Sequence, residues 1–321
     1  RQGTALDTAG GQLGVVAEWR AGGYGNYTMT VRYAARPLTG TVWTTETVST
    51  LTYESGLPNP TLALDGQGQP HLAYYDCTAE ALRYAAQVSS RACRGMSSRA
   101  CRGTSTFTSD IVDQSRVIRS AAVALDENEA VHVTWDSKGL RYAVSAAGTT
   151  TWTRQIAVAD PGIDEPELSL AVDGTNVPHL AYGQEGSPLY HAHLSGTTWI
   201  TRWVDAPGSV DVHPDIGAEV SGTAHIAYIA ATESELAVRH AAFDGATWVT
   251  ETLAIAGPDE WDHEQSPRLV AQGGKVYVLY ADCTAYQGGA DYPIDLVLKT
   301  WDGAAWRDEV LDSFVGQCNW N

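Results

Sequence analysis

The chain has 321 residues, of which 44% are hydrophobic, and its formal net charge is −18. This composition is sufficient for a large folded core, and the charge makes a nucleic-acid backbone or an anionic membrane surface an unfavourable partner. No apolar run approaches the roughly 20 residues that a membrane-spanning helix needs.

A short motif recurs along the chain and predicts a repeat fold. Each copy begins with His or Tyr and ends with an aromatic residue, and an apolar run closed by an acid or amide precedes it. The copies are His71-Leu-Ala-Tyr74, His132-Val-Thr-Trp135, His179-Leu-Ala-Tyr182, His225-Ile-Ala-Tyr228 and Tyr277-Val-Leu-Tyr280. A sixth apolar run lies at Ala5. Short alternating runs that repeat every ~45 to 60 residues are typical of a β-propeller.

Each unit is predicted to form four antiparallel strands, named A to D in chain order. Strand A is the apolar run, strand B carries the His motif, strand C is a run such as Leu82-Arg-Tyr84, and strand D carries a Trp such as Trp152. The sequence therefore predicts an all-β protein, a single six-bladed β-propeller over 1–321. The blades are placed at about 1–50, 51–115, 116–160, 161–208, 209–258 and 259–314, with a tail over 315–321 and a basic insertion over 88–106.

The repeated residues are interpreted as structural. A His at one position of four units is expected to be a core residue that forms hydrogen bonds between blades, and the strand-D Trp is expected to pack one blade on the next. Function in a repeat fold is usually carried by what departs from the repeat.

The repeats resemble those of secreted bacterial propellers in the broad sialidase/BNR-repeat-like group. Pro70-His-Leu-Ala-Tyr-Tyr-Asp76 and Leu82-Arg-Tyr-Ala85 carry the resemblance, and the hairpins that begin at Asp244 and Asp302 are similar to degenerate Asp boxes. An Asp box has one residue between Asp and Gly, whereas these hairpins have none. The resemblance implies a propeller. Sialidases use three arginines, and the arginines here lack a recognisable motif, so sialidase activity is not expected.

The loops that break the repeat indicate a binding face. Loops that leave strand B and loops that enter strand A share one face of a propeller, and blades 1 and 6 carry long ones over 20–27 and 282–295. Aromatic rings beside carboxylates suit sugars, although ordered surface loops without a ligand are the alternative. The predicted ligand-binding residues are Trp19, Tyr24, Tyr27, Trp261, Asp262, His263, Glu264, Tyr286, Asp291 and Tyr292.

Two other interpretations of the same face stay open. A metal site for Ca²⁺ or Zn²⁺ would use Asp211, His213, Asp215 and Asp262, but no compact metal motif is present and no cofactor is firmly indicated. A catalytic site would use His213 or His263 as a base and Tyr292 as an acid, as in polysaccharide lyases.

The five cysteines, the low lysine content and the abundance of Gly, Thr, Trp and Tyr suggest an extracellular protein. Cys283–Cys318 and Cys93–Cys101 are the predicted disulfides, and the pairing of Cys77 is left open. Cys93 and Cys101 lie in the two copies of a duplicated Ser-Ser-Arg-Ala-Cys-Arg-Gly segment. Its basic residues could dock an acidic surface such as a second copy of the chain, and a tolerated duplication is the alternative. These residues are Arg91, Arg94, Arg99 and Arg102.

The sequence thus predicts a secreted or cell-surface propeller that binds a carbohydrate or a protein surface, with its site near the blade 1/6 seam. A polysaccharide lyase or glycoside hydrolase on the same face is the first alternative, and a structural or assembly subunit is the second. Whether the chain is an enzyme is left uncertain, because propellers host enzymes, lectins and scaffolds alike.

Overall fold

The computed structural model describes residues 4–23, 26–52, 58–88, 106–115, 118–205, 211–231, 236–257, 266–282 and 292–316. These residues form 24 β-strands in six four-stranded antiparallel sheets, which are the predicted blades. Within the described part of the chain, no helix is long and apolar enough to cross a membrane.

The strands follow one another through each sheet as a meander, and the six sheets are numbered as blades 1 to 6 in chain order. Blade 1 contains β1 (Thr4–Ala9), β2 (Gln12–Gly23), β3 (Asn26–Pro37) and β4 (Thr44–Thr52). Blade 2 contains β5 (Thr61–Leu64), β6 (Pro70–Asp76), β7 (Ala81–Val88) and β8 (Thr106–Gln114). Blade 3 contains β9 (Ala121–Leu125), β10 (Val131–Asp136), β11 (Leu140–Ser145) and β12 (Thr153–Val158).

Blades 4 to 6 repeat the pattern. Blade 4 contains β13 (Glu167–Val172), β14 (Pro178–Gly183), β15 (Leu189–Ser195) and β16 (Thr198–Asp205). Blade 5 contains β17 (Asp211–Ala218), β18 (Ala224–Ala231), β19 (Leu236–Phe243) and β20 (Trp248–Gly257). Blade 6 contains β21 (Arg268–Gln272), β22 (Lys275–Asp282), β23 (Tyr292–Trp301) and β24 (Trp306–Gly316), so its last strand enters the predicted tail.

The chain divides into two compact units of three blades each. One unit comprises 1–137 and 141–155, and the other comprises 138–140 and 156–321. In both units the strand-B segments are the most buried, and every residue of β10 and β14 is buried. Strand D is the exposed side of each blade, so the core lies around strands A to C.

The acid that ends strand A holds the turn to strand B. In blade 4, Asp173 Oδ1 accepts hydrogen bonds from the backbone N–H groups of Thr175 and Val177, and Oδ2 lies 3.2 Å from His179 Nε2. Asp65 and Asp126 hold the same turns of blades 2 and 3. The hydrogen bonds of the repeated His therefore lie within its own blade, not between blades as the sequence analysis expected. The reason is the register, which places the His beside the turn of its own hairpin.

The strand-D Trp packs on the preceding blade, as predicted. Trp152 contacts Tyr84 of blade 2, with ring centroids 5.4 Å apart and an interplanar angle of 72°. Trp248 contacts His191 of blade 4 at 4.9 Å and 74°, and Trp306 contacts His240 of blade 5 at 5.2 Å and 75°. Edge-to-face contact with a strand-C ring is thus a repeated joint between blades.

Candidate functional site

Most residues of the predicted site lie outside the described part of the chain. These are Tyr24, Trp261, Asp262, His263, Glu264, Tyr286 and Asp291, together with Cys93, Cys101, Cys283, Cys318 and the four arginines of the basic insertion. Tyr27, Asp211 and Tyr292 lie in β3, β17 and β23, but their side chains are not described. Trp19, His213 and Asp215 are described. The predictions for the other residues stay predictions.

Trp19 projects from blade 1 into solvent, with 64% of its surface exposed. Its strand neighbours Val16 and Glu18 are buried on the face that meets blade 2, where Tyr33, the partner of Val16 in the sheet, contacts Phe107. Because side chains alternate along a strand, Trp19 lies on the opposite face of the sheet. An exposed indole of this kind can stack on a ligand, and the role of Trp19 in ligand binding stays a prediction.

A β-bulge at the start of blade 5 reorients His213. The pairing of β17 with β18 moves from Asp211 opposite Ile229 to Asp215 opposite Ala227, which leaves residues 212–214 opposite Tyr228. His213 has a φ of 59°, a left-handed conformation that is uncommon for a residue other than Gly. Bulges and such conformations occur frequently next to functional sites, where they redirect a side chain.

Glu167, the first residue of β13, fixes the imidazole of His213. Its Oε2 lies 2.6 Å from His213 Nδ1 and also accepts a hydrogen bond from the His213 backbone N–H at 2.9 Å. The two side chains are 14% and 18% exposed, so the pair is largely shielded from water. Nε2 has no hydrogen-bond partner among the described residues. With Nδ1 bound to the carboxylate, Nε2 is the atom that can bind a ligand, as an acceptor when the ring is neutral and as a donor when it is charged.

Asp215 serves as a structural tie between three blades. One of its carboxylate oxygens accepts a hydrogen bond from Ser169 Oγ of blade 4 at 3.0 Å, and the other accepts from the Leu269 backbone N–H of blade 6 at 2.8 Å. Burial raises the pKa of this carboxyl, against the charge of Arg268 and these hydrogen bonds. Both oxygens thus accept hydrogen bonds within the protein, and the role of Asp215 as a metal ligand stays a prediction.

The described residues contain no group of three His, Cys, Asp or Glu side chains placed to hold a metal ion. His213 Nδ1 is in contact with the carboxylate of Glu167. Asp262 and the side chain of Asp211 lie outside the described side chains.

A second buried group lies opposite the bulge and has no counterpart in the sequence predictions. The Tyr228 hydroxyl donates to Asp205 Oδ2 at 2.7 Å, and Arg239 also donates to this carboxylate oxygen. Burial and the Asp205 carboxylate raise the pKa of Tyr228, so its hydroxyl stays protonated at neutral pH. The contacts of Tyr228 and Arg239 with Asp205 join blade 5 to the end of blade 4. The Tyr228 hydroxyl does not release its proton readily.

Acidic residues surround the entrance to blade 4. Asp164, Glu165 and Glu185 are exposed, and the backbone N–H groups of the first two donate to Gln184 Oε1, which holds the entering segment beside the end of β14. Together with the net charge of −18, these carboxylates disfavour an approaching polyanion.

No protein-family model matches this sequence, and no curated protein matches it. Solved structures resemble it in fold. The SapL1 lectin in complex with alpha methyl fucoside is 14% identical with a TM-score of 0.52, covering 96% of this chain and 95% of that chain. The Aleuria aurantia lectin in complex with Fucalpha1-6GlcNAc is 12% identical with a TM-score of 0.53, covering 96% and 94%.

An ulvan lyase from a new family of polysaccharide lyases also matches. It is 12% identical with a TM-score of 0.57, covering 96% of this chain and 82% of that chain. These likenesses, with the six described sheets, confirm the predicted fold class, an all-β six-bladed β-propeller with four antiparallel strands in each blade. The sialidase/BNR-repeat-like grouping stays a prediction.

Proposed function

We propose that this protein is a lectin-like propeller that binds carbohydrate outside the cell or at its surface, and that Glu167 and His213 form one of its ligand contacts. The observation that carries the proposal is the imidazole held by a carboxylate at Nδ1, whose Nε2 has no hydrogen-bond partner among the described residues. The fold that the chain shares with two lectins, one bound to alpha methyl fucoside, supports carbohydrate as the ligand class. Exposed Trp19 and the residues Trp261 and Tyr292 stay separately predicted ligand contacts.

The chemistry of the pair fits a sugar hydroxyl. A hydroxyl group both donates and accepts, so it can bond to Nε2 in either protonation state of the ring. The fixed orientation of the ring lowers the entropy lost on binding. The exposed carboxylates at Asp164, Glu165 and Glu185 favour neutral glycans over sulfated or uronate-rich ones.

A glycan array tests the proposal with three variants. His213→Asn removes the imidazole, and Asn tolerates the positive φ at this position. Glu167→Gln removes the charge that orients the ring. Glu185→Gln is the matched control, because it makes the same charge change on an exposed residue of the same blade.

We expect the first two variants to lose about tenfold or more in affinity for a neutral glycan, the loss expected for one good hydrogen bond, and the control to retain it. Unchanged binding in His213→Asn would exclude this contact point. If Trp261→Ala and Tyr292→Ala abolish binding in the same experiment, the ligand site predicted from the sequence would instead carry the function.

A polysaccharide lyase or glycoside hydrolase is the second candidate. An imidazole oriented by a carboxylate is also the arrangement of a general base, which is the observation that favours it. The Tyr228 hydroxyl opposite the bulge donates to Asp205 and therefore does not serve as the general acid. Release of new chain ends from a neutral or uronate-containing polysaccharide, lost in His213→Asn, would establish the enzyme in place of the lectin.

A further inference from the structure

Blades 2 to 5 share a buried relay whose last member differs between the two units. In each blade an acid at the A–B turn faces the strand-B His, and the His faces a strand-C ring. That ring is Tyr84 or Tyr142 in blades 2 and 3, and His191 or His240 in blades 4 and 5. The consequence for proton uptake is different in the two cases.

A tyrosine partner tolerates protonation of the strand-B His. The Tyr84 hydroxyl lies 2.6 Å from His71 Nδ1, and the Tyr142 hydroxyl lies 2.6 Å from His132 Nδ1. A hydroxyl can donate to a neutral imidazole and accept from a charged one. Burial lowers the pKa of His71 and His132 as well, but the relay of blades 2 and 3 can take up a proton by rotation of one O–H bond.

A histidine partner can accept from a charged imidazole only by moving its own N–H from Nε2 to Nδ1, and His191 Nδ1 is buried without a partner among the described residues. His179 Nδ1 lies 3.0 Å from His191 Nε2, and the two rings are stacked with centroids 5.2 Å apart. One N–H lies between the rings, and a proton on each ring would set two donors and two like charges against each other. Asp173 faces only the far nitrogen of His179.

Among the described residues, no negative charge lies in contact with His191. Besides His179 the ring faces His193 of its own strand, Arg202 of β16, and Phe243 and Trp248 of blade 5. Burial, followed by the charges of His179, His193 and Arg202, lowers the pKa of His191 well below its ordinary value. Burial also lowers the pKa of His193.

Blade 5 contains a second pair of this kind. His225 Nδ1 lies 3.0 Å from His240 Nε2, and the ring centroids are 5.2 Å apart. Glu219 lies 3.6 Å from His225 Nε2, and Glu251 lies 2.9 Å from His240 Nδ1. Burial lowers the pKa of His225 to about 4, and it lowers the pKa of His240 against the attraction of Glu251.

The strand-C rings of these pairs also form the joints between blades. Trp248 packs on His191 and Trp306 packs on His240, so a displaced imidazole disturbs the contact with the next blade. We propose that the paired histidines of blades 4 and 5 form an acid-sensitive element, which opens these blades on acidification while blades 2 and 3 stay closed. This inference is independent of the proposed sugar ligand.

Exchange of the strand-C residues between units tests the proposal. The double variant H191Y/H240Y gives blades 4 and 5 the tyrosines of blades 2 and 3, and Tyr84 shows that a tyrosine fits this place under a Trp at 5.4 Å. The reciprocal variant Y84H/Y142H gives blades 2 and 3 histidine pairs. Both are compared with the natural chain by thermal unfolding at about pH 7.5 and about pH 4.5.

We expect acidification to lower the melting temperature of H191Y/H240Y by about 5 to 10 °C less than that of the natural chain, and that of Y84H/Y142H by more. Hydrogen exchange, corrected for the intrinsic effect of pH, should show the acid-induced loss of protection in peptides from β13–β20 and not in those from β5–β12. Equal acid sensitivity of the natural chain and both variants, or equal loss of protection in the two units, would overturn the proposal. The reciprocal variant keeps the test decisive if H191Y/H240Y fails to fold.

Discussion

Two equivalent tryptophans, Trp306 and Trp248, are expected to respond very differently to replacement by Phe. Trp306 Nε1 donates a hydrogen bond of 2.9 Å to Glu251 Oε1, whereas Trp248 Nε1 is buried without a partner among the described residues. The register explains the difference, because Glu251 lies opposite His240 and Arg202 occupies the equivalent place opposite His191. One blade joint therefore has an acceptor that the other lacks.

The contacts set the expected magnitudes. Both substitutions lose a similar part of the indole surface, worth about 1 kcal/mol. Trp306→Phe also loses a hydrogen bond to a carboxylate, worth about 1 kcal/mol here because the Glu251 side chain is 47% exposed. Trp248→Phe removes an unsatisfied buried donor, which returns about 1 kcal/mol. We expect Trp306→Phe to destabilise the protein by about 2 kcal/mol and Trp248→Phe to change stability by less than about 1 kcal/mol.

Urea unfolding followed by far-ultraviolet circular dichroism measures both changes without depending on the tryptophan signal. In an Arg202→Glu background, which supplies an acceptor at the equivalent position, the cost of Trp248→Phe should rise by about 1 kcal/mol. Equal costs for the two tryptophans in the natural background would refute the reasoning, since the Glu251 hydrogen bond would then contribute nothing.

Three further predictions concern pH, close packing and a buried charge. The pKa of His225 is about 4 in the folded chain and about 6.5 in the unfolded chain. The contribution of neutral His225 to the free energy of unfolding is therefore fully present above pH 6.5 and is lost as the pH falls towards 4. Urea unfolding at a series of pH values should show that the free energy of unfolding falls by roughly 3 kcal/mol over this range in the natural chain and not in His225→Gln. The same fall in the variant would contradict the assignment to His225. A Cβ on Gly174 would lie 2.6 Å from the neighbouring hairpin's backbone, whereas one on Gly66 would meet nothing nearer than 3.9 Å. Gly174→Ala should therefore cost about 1 to 3 kcal/mol in urea unfolding and Gly66→Ala little, and equal costs would contradict the geometry. Buried Lys299 Nζ lies 2.8 Å from both Asp308 oxygens, and the Asp308 side chain is 58% exposed. Asp308→Asn leaves a buried charge without its partner and should cost about 2 kcal/mol, whereas Lys299→Met removes that charge and should cost less. The reverse order of the two costs in urea unfolding would contradict this prediction.

The blades could be predicted from sequence because each carries the same alternation and the same punctuation. The acid that closes strand A was visible as a repeated residue, and its role as the hydrogen-bond acceptor of the next turn follows from the chemistry of Asp at turns. The strand-D Trp was likewise predicted to join blades, since a large apolar residue repeated once per unit needs a neighbouring unit to cover it.

The partner of the repeated His was harder to predict. Its hydrogen bonds depend on which strand-C residue lies across from it, and the register shows this only in the folded sheet. The sequence does show that the equivalent strand-C position changes from Tyr in blades 2 and 3 to His in blades 4 and 5. Together with the register, this change indicates the two kinds of relay directly.

The candidate site illustrates how far the repeat itself can be used. Residues just before or at the start of strand A in consecutive blades meet one another: Asn59 Nδ2 donates to the Arg119 carbonyl between blades 2 and 3, and Glu167 meets His213 between blades 4 and 5. The pairing of positions is thus a property of the propeller repeat and could be predicted from aligned units. The bulge could not, because it depends on one strand accommodating three residues opposite Tyr228. This local departure turns the His213 ring towards the Glu167 carboxylate, and so the proposed ligand contact lies where the chain leaves the repeat.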